Sequence, residues 1–512
     1  MKINQLKAGA ALSYISMALG YIISIIYTPI MLRLLGQSEY GLYNLVVSVV
    51  SYLGLLNFGF GSAYIRYYSR YKVRNERENI AKINGMFLII FSILGFIAVL
   101  AGMALVFNTN LVFGSQLTTQ ELSVAKILMT IMVINIGFSF PNVVFNSYIT
   151  ANEQFVFQKL LQMIKVIANP FLVLPVLLLG YGSIGMVVIT TVLNISIEIA
   201  NAIFCFRKLN MEFSFRQFDF SLMKEMTIFS SFVFMNMIID QINWNVDKFI
   251  LGRFHGTVFV ALYGLAAQLN TYYISLSTAI SSLFIPRVNK IVASFDDNHE
   301  LTLLFTRVGR VQFIVLSVIW TGLIFFGQPF INMWAGPNYS ESYLITLFLI
   351  LPVTIPLIQN IGIEIQRAKN THQFRSWVYF FIAIANVIIT IPLSKKYAGI
   401  GAAMGTALSL IIGNIFIMNW YYHKKVGLDM IYFWKQIISF VPSLILPILV
   451  GVLVHIYIDL YNIKLFLLYG FVYVLIFSVS MWFLGMNQYE KDLIRRPIIK
   501  LIKKLKIGEY KM

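Results

Sequence analysis

The chain has 512 residues, of which 59% are apolar, 15% aromatic and only 12% charged. Soluble domains average roughly 45–50% apolar and about 25% charged, so a soluble globular enzyme and a disordered chain are both excluded. The net charge of +18, from 39 Lys and Arg against 21 Asp and Glu, is then expected to mark basic cytoplasmic loops rather than a nucleic-acid surface.

Apolar runs of about 20 residues or more recur, where a membrane barrel would show alternating strands of roughly 10 residues. They predict an all-α polytopic membrane protein with about fourteen transmembrane helices. The first span, 9–32, contains Pro29 and lacks the small-residue site of a cleaved signal peptide. Arg33 opens the corner that follows it. Span 2, 41–65, ends at Arg66, and span 3 covers 84–107. Span 4, 122–146, carries Asn135, Ser139, Asn142 and Asn146. Span 5, 157–179, carries Gln158, Gln162, Lys165 and Asn169 together with Pro170 and Pro175. Span 6, 183–206, carries Asn194, Glu198, Asn201 and the single cysteine, Cys205, which has no internal disulfide partner. Span 7, 227–251, carries Asn236, Asp240, Asn243 and Asp247, followed by Lys248 and then Arg253. Spans 8 and 9 cover 258–283 and 310–333. Span 10, 342–365, contains Pro352, Pro356, Asn360 and Glu364, with Arg367 just beyond. Spans 11 and 12, 376–394 and 399–422, flank Lys395 and Lys396, and Gly401 to Gly405 forms a GxxxG packing pattern. Spans 13 and 14 cover 437–458 and 463–485. The tail, 487–512, reads as a basic cytoplasmic segment resting on anionic lipid.

With both termini placed inside, 32 of the 39 basic residues fall on the cytoplasmic side and 7 outside. That is the positive-inside distribution for an even number of spans. The longest outside loop, about 108–121, has no Lys or Arg. The chain also repeats itself. Arg33, Gly36, Leu42, Tyr43 and Leu45 recur as Arg253, Gly256, Leu262, Tyr263 and Leu265 at an offset of 220. Tyr181, Ile184, Gly185 and Thr190 recur as Tyr397, Ile400, Gly401 and Thr406 at an offset of 216. Six spans separate the copies, so both have the same orientation. The expected organisation is an N-lobe (1–215), a C-lobe (216–430), two extra spans (431–486) and the tail (487–512). Such parallel repeats point to a transporter with its site between lobes at mid-membrane.

The polar residues of spans 4, 5 and 7 step i, i+4, i+7, i+11, so each set forms one face of its helix. A charge at mid-bilayer costs at least about 2.5–3.5 kcal/mol, so these faces must line a hydrated cavity or pair across helices. Asn and Gln also serve commonly as interhelical hydrogen bonds. The candidate cavity residues are Lys165, Glu198, Asp240, Asp247, Asn135, Asn142, Gln162, Asn169, Asn236, Asn243, Arg66, Glu364 and Arg367. Glu364 and Arg367 equally fit an i, i+3 ion pair, and Arg66 an interfacial anchor. Arg33 and Arg253 are candidates for an outer gate. The sequence has no Walker A loop, no dinucleotide motif and no HExxH, and its five histidines are scattered. No catalytic apparatus, cofactor or metal is expected.

The segment from Thr28-Pro29 through Arg33-Leu-Leu-Gly36 to Glu39-Tyr40-Gly41-Leu42-Tyr43 resembles the Wzx-type oligosaccharide flippases of the multidrug/oligosaccharidyl-lipid/polysaccharide exporter superfamily. So do Asn57-Phe-Gly-Phe-Gly61 leading to Arg66, the stretch from Asp247 to Tyr263, and Tyr397 to Gly401. The resemblance implies a flippase that moves a polyprenyl-diphosphate-linked oligosaccharide from the cytoplasmic to the outer leaflet by alternating access. It implies a bacterial cytoplasmic membrane location, membrane lipid as surroundings and a polymerase of the same pathway as partner; a monomer is expected because both lobes sit in one chain. In related lipid II flippases spans 13 and 14 form a lipid groove, which gives the extra spans a use. Members often have a strongly cationic cavity, whereas this chain mixes Lys165 with Glu198, Asp240 and Asp247. Coupling to H⁺, to Na⁺ or to the membrane potential is compatible with the two aspartates. A lipid II flippase and a drug or cation antiporter of the same superfamily are the alternatives. A membrane polymerase is the remote one, since the short outer loops leave it no catalytic domain.

Overall fold

A computed structural model describes residues 5–216, 220–294, 297–369, 371–496 and 499. Most of the basic tail, including Lys500, Lys503, Lys504 and Lys506, therefore lies outside the described residues. The described chain is helical, and no strand occurs among those residues. Ten of its helical stretches are long and apolar enough to cross a membrane, or eleven if one bent pair counts as a span.

The helices in chain order are α1 (Gln5–Val50), α2 (Phe60–Val73), α3 (Arg77–Phe107), α4 (Thr109–Phe113), α5 (Thr119–Ala151), α6 (Phe155–Leu178) and α7 (Gly182–Arg207). They continue as α8 (Phe220–His255), α9 (Thr257–Ser282), α10 (Ile285–Ser294), α11 (Asn298–Trp334), α12 (Ser342–Ile358), α13 (Ile361–Ala368) and α14 (His372–Leu410). The last are α15 (Met430–Ile438), α16 (Val441–Tyr457) and α17 (Ile463–Ser480).

Several helices run past one bilayer and break where the sequence allows it. An α-helix rises about 1.5 Å per residue, so 46 residues in α1 exceed twice a hydrocarbon core of about 30 Å. It breaks at Gly36 (φ 76, ψ 168), a conformation closed to residues with a Cβ. Span 2 is expected as one helix over 41–65, but it is divided. A 3₁₀ segment, Ser51–Asn57, leads to left-handed Phe58 and Gly59, and the Asn57 side chain accepts the Gly59 N–H at 2.7 Å. Only then does α2 begin. Span 10 bends by 42° between α12 and α13. Pro352 and Pro356 remove two backbone donors from the end of α12, which weakens its ladder there. α14 breaks at Tyr397 and Ala398, then passes into π-helical turns at Ile411–Met418 and Tyr422–Val426. There the Asn414 and Asn419 amides donate to the carbonyls of Leu410 and Asn414.

The chain forms two compact units. The first comprises residues 1–267 and 379–406. Its aromatic core gathers Tyr64, Tyr67 and Tyr68 of α2, Phe87 and Phe91 of α3, and Phe140 and Tyr148 of α5. The Tyr64 hydroxyl donates to Asn84 at 2.5 Å, and Asn84 donates on to the Glu212 carbonyl, so this core ties down the segment after α7. The second unit comprises residues 268–378 and 407–512. In it, Phe440, Leu444, Phe477 and Met481 pack α16 and α17 together. Buried Arg310 of α11 pairs with Glu490 at 2.6 Å and lies over the Phe440 ring. Arg310 also donates to the Gln436 and Gly485 carbonyls and to Ser439.

Candidate functional site

The polar residues of the first unit form two arrangements. The first lies on α5, α6 and α7. Lys165 of α6 and Glu198 of α7 are half-buried and act on one another electrostatically. Beside them in sequence, Asn169 of α6 accepts a hydrogen bond from Thr190 of α7 at 3.1 Å. Gln162 is exposed and takes a hydrogen bond from Lys159 at 3.3 Å. The side-chain oxygens of Asn135 and Asn142 on α5, and of Asn194 on α7, are buried and have no hydrogen-bond partner in the protein. A buried carbonyl without a donor costs about 1–3 kcal/mol, so three on the packed pair α5 and α7 call for hydroxyl or water donors.

The second arrangement surrounds Asp247 of α8, which is 1% exposed. One carboxylate oxygen accepts from the Tyr263 hydroxyl of α9 and, at 2.8 Å, from the Thr406 hydroxyl of α14. The other is buried and has no hydrogen-bond partner. Thr406 also lies 3.4 Å from the Asn386 side-chain oxygen, which accepts from Thr390 at 2.9 Å. Lys248, the next residue along α8, acts on the carboxylate electrostatically. This oxygen-only set suits a proton or a small hard monocation. Among the described residues no group of three His, Cys, Asp or Glu converges.

The repeat accounts for the frame of this second arrangement. Thr190 and Thr406 are repeat counterparts, and each bonds an asparagine, Asn169 in one copy and Asn386 in the other. Tyr43 and Tyr263 are also counterparts. The carboxylate is not repeated: the position 220 residues before Asp247 is Tyr27, which lies beside Tyr43 and directs its hydroxyl at the Met186 sulfur. The fold therefore does without an acid in one copy and keeps one in the other.

The remaining candidates are dispersed. The α8 stripe is split: Asn236 and Asp240 are exposed, Asn243 is half-buried, and Asp247 is in the core. The cause is that α8 packs on different neighbours along its 36 residues, so one sequence face meets more than one environment. Arg66 is exposed on α2 with its guanidinium 4.7 Å from the centre of the Phe229 ring. Arg33 is exposed on α1. Arg253 donates to the carbonyls of Leu111 and Val112 at 2.7 and 3.0 Å. Glu364 and Arg367, in the second unit, form an i, i+3 ion pair at 2.8 Å.

Three groups escaped the sequence reading. Asn386 and Thr390 are isolated polar residues in span 11 with no stripe to mark them. Tyr263 and Thr406 were visible only as repeat matches. Glu121, the one acid of the longest outer loop, accepts from Ser38 at 2.6 Å and Thr257 at 2.7 Å, a pairing across 83 and 136 residues.

The model of a family described as polysaccharide biosynthesis protein matches residues 6–292. A Shigella flexneri protein described as an O-antigen transporter is 20% identical over 398 residues, covering 77% of this chain and 91% of that one. The Bacillus subtilis membrane protein EpsK is 22% identical over 442 residues, covering 82% and 84%. A 175-residue stretch is 25% identical to the Haloferax volcanii flippase AglR, covering 33% of this chain and 36% of that one. Among solved structures, the lipid II flippase MurJ in an inward closed conformation superposes with a TM-score of 0.73 at 16% identity, covering 96% and 99%. An inward-facing multidrug transporter of the MATE family superposes with a TM-score of 0.63 at 13% identity, covering 82% and 99%.

Proposed function

The chain belongs to the polysaccharide biosynthesis protein family, and from that premise we propose that it is a flippase for a polyprenyl-diphosphate-linked oligosaccharide. It is a multi-pass membrane protein with a fold shared by lipid and drug transporters, and its named relatives are transporters and flippases rather than enzymes. The proposed direction is from the cytoplasmic to the outer leaflet of a bacterial cytoplasmic membrane, for capsule, O-antigen or exopolysaccharide export. Fourteen spans with both termini inside, in two six-span lobes plus two, fit the charge distribution and the repeat.

The observation that carries the reading is the set of polar groups on α5, α6 and α7. A sugar diphosphate brings many hydroxyl donors and a strong anion. Orphaned carbonyls of Asn135, Asn142 and Asn194 supply acceptors for the first, and Lys165 supplies a cation for the second. Glu198 keeps the set close to neutral, so the cargo is bound weakly enough to leave. The polyprenyl tail stays in lipid, and an apolar groove lined by Phe326, Phe330, Phe466 and Tyr473 of α11 and α17 is a surface it can follow. An inside-negative potential favours outward movement of an anion by about 2.3 kcal/mol per charge per 100 mV. The Asp247 arrangement fits a coupling proton or Na⁺, which its unpaired carboxylate oxygen and the Tyr263, Thr406 and Asn386 oxygens would hold.

The test is leaflet translocation in proteoliposomes loaded with a fluorescent polyprenyl-diphosphate oligosaccharide. Protein-dependent exposure to an external quencher without bond cleavage supports the reading. Sugar transfer or chain growth, or efflux of organic cations with no lipid exposure, overturns it.

A further inference from the structure

The two copies of the repeat meet at their first corners, and all residues involved there belong to the first unit. After the break at Gly36, residues 37–41 turn across the start of α9. A Cβ on Gly41 would lie 1.8 Å from the Thr257 carbonyl oxygen and 3.2 Å from the Ala261 nitrogen. At the repeat offset of 220, Ala261 is the counterpart of Gly41 itself, and Thr257 that of Gln37. A residue that meets its own counterpart lies on the axis relating the copies. The corners between spans 1 and 2 and between spans 7 and 8 therefore abut on that axis, on the side the charge count places outside.

One carboxylate bridges the abutting corners. Glu121, at the start of α5, accepts on a single oxygen from Ser38 of the first corner at 2.6 Å and from Thr257 of the second at 2.7 Å. The two hydroxyls are 3.0 Å apart. The other carboxylate oxygen accepts the Thr118 amide at 2.8 Å and hydroxyl at 3.0 Å, which fixes Glu121 to its helix. Beside it, Glu39 accepts the Ser183 amide at 2.6 Å and hydroxyl at 2.7 Å, anchoring the first corner to α7. Arg253 of the second corner reaches the carbonyls of Leu111 and Val112. Glu39 and Thr118 hold their partners within the first copy; Glu121 to Thr257 and Arg253 to Leu111 and Val112 cross between copies.

We infer that Ser38, Glu121 and Thr257 form a latch that holds the repeat-related corners together, and that opening on this side requires its release. Charge-assisted hydrogen bonds are stronger than neutral ones and demand alignment, so they fail together when the corners separate. Gly41 sets how closely the corners approach, and the Glu121 bridge sets how firmly they stay. The inference rests on the alternating-access reading, but not on the cargo.

The test measures distance between the corners. Spin labels go on exposed Leu34→Cys and Val258→Cys, with buried Cys205 replaced by alanine, in lipid nanodiscs without cargo. The parent should give a short, narrow distribution. Thr257→Val removes the crossing donor while leaving Thr118 on Glu121, and Ser38→Ala removes the other. Each should raise the long-distance population about fivefold. Gly41→Ala should do the same through bulk alone, with Ser38, Glu121 and Thr257 intact. Well-folded Thr257→Val and Ser38→Ala proteins whose distributions match the parent overturn the latch. Separation of the corners in a protein that flips no lipid-linked oligosaccharide would keep the latch and remove the cargo assignment instead.

Discussion

Asp247 sits among hydroxyl groups where its repeat counterpart is Tyr27, so the carboxylate is an addition to a frame that is complete without it. Asp247→Asn retains an oxygen able to accept from Tyr263 and Thr406 and removes only the charge. It should leave protein levels and thermal stability near the parent's and cut flipping at least tenfold. The remaining rate should no longer respond to an imposed Na⁺ or pH gradient. A gradient response equal to the parent's would take coupling away from this residue. Lys165 poses a different question, because the charge it interacts with is Glu198 and not a closed hydrogen-bonded network. Lys165→Ala should reduce translocation without lowering expression, and should raise the cargo concentration needed for half-maximal rate. Unchanged kinetics would remove the diphosphate contact from α6.

Helix breaks carry as much of this architecture as helix lengths do. The sequence separates two breaks that look alike. Gly36 occupies its positive-φ position at no steric cost, and so does Gly182, the residue at the head of α7. Ala398, which the repeat offset of 216 pairs with Gly182, is held at φ 47, ψ −127 with a Cβ. Ala398→Gly should therefore relieve strain and stabilise the protein by about 1 kcal/mol, read as a raised melting temperature in detergent. The opposite sign is expected at the buried pair that fastens α15 and the segment after α17 to α11. Removing one partner of a buried ion pair leaves the other charge uncompensated, at about 3–5 kcal/mol. Arg310→Met should lower the melting temperature sharply, and Arg310→Met with Glu490→Leu should recover most of the loss. A double variant no more stable than the single one would show that the Gln436, Ser439 and Gly485 contacts, rather than the charge pair, hold these elements.

At the scale of the whole molecule, composition and run length were enough for the class: a helical membrane protein with ten or more crossings. The superfamily was legible because short motifs such as Gly36 to Tyr43 recur in order along the chain. The break at Phe58–Gly59 was not legible, since hydropathy is blind to a left-handed residue inside an apolar run, whereas Pro352 and Pro356 marked span 10 as a helix that can bend. Stripes located polar faces but not their surroundings, as Asp240 and Asp247 show by sharing a face and differing in burial. The Glu121 bridge was out of reach for a further reason: its partners come from corners 219 residues apart, and a lone acid in a loop gives no periodic signal. Its environment nevertheless fixes a pH dependence. Burial pushes the Glu121 carboxyl up, but the hydrogen bonds from Ser38, Thr118 and Thr257 outweigh it and hold the group below the ordinary glutamate value of 4.5. The guanidinium of Arg253, on the adjoining corner, is engaged with backbone carbonyls. A carboxyl held low in the closed form stabilises that form fully above the ordinary value and loses its hold as pH falls through the depressed one. The corners should thus stay together from pH 8 down to about 5 and begin to part only below the ordinary glutamate value. With spin labels at 34 and 258, parting that begins near pH 6 would assign the transition to another group. In the Thr257→Val protein the acid-induced change should be smaller, because part of the bridge is already gone.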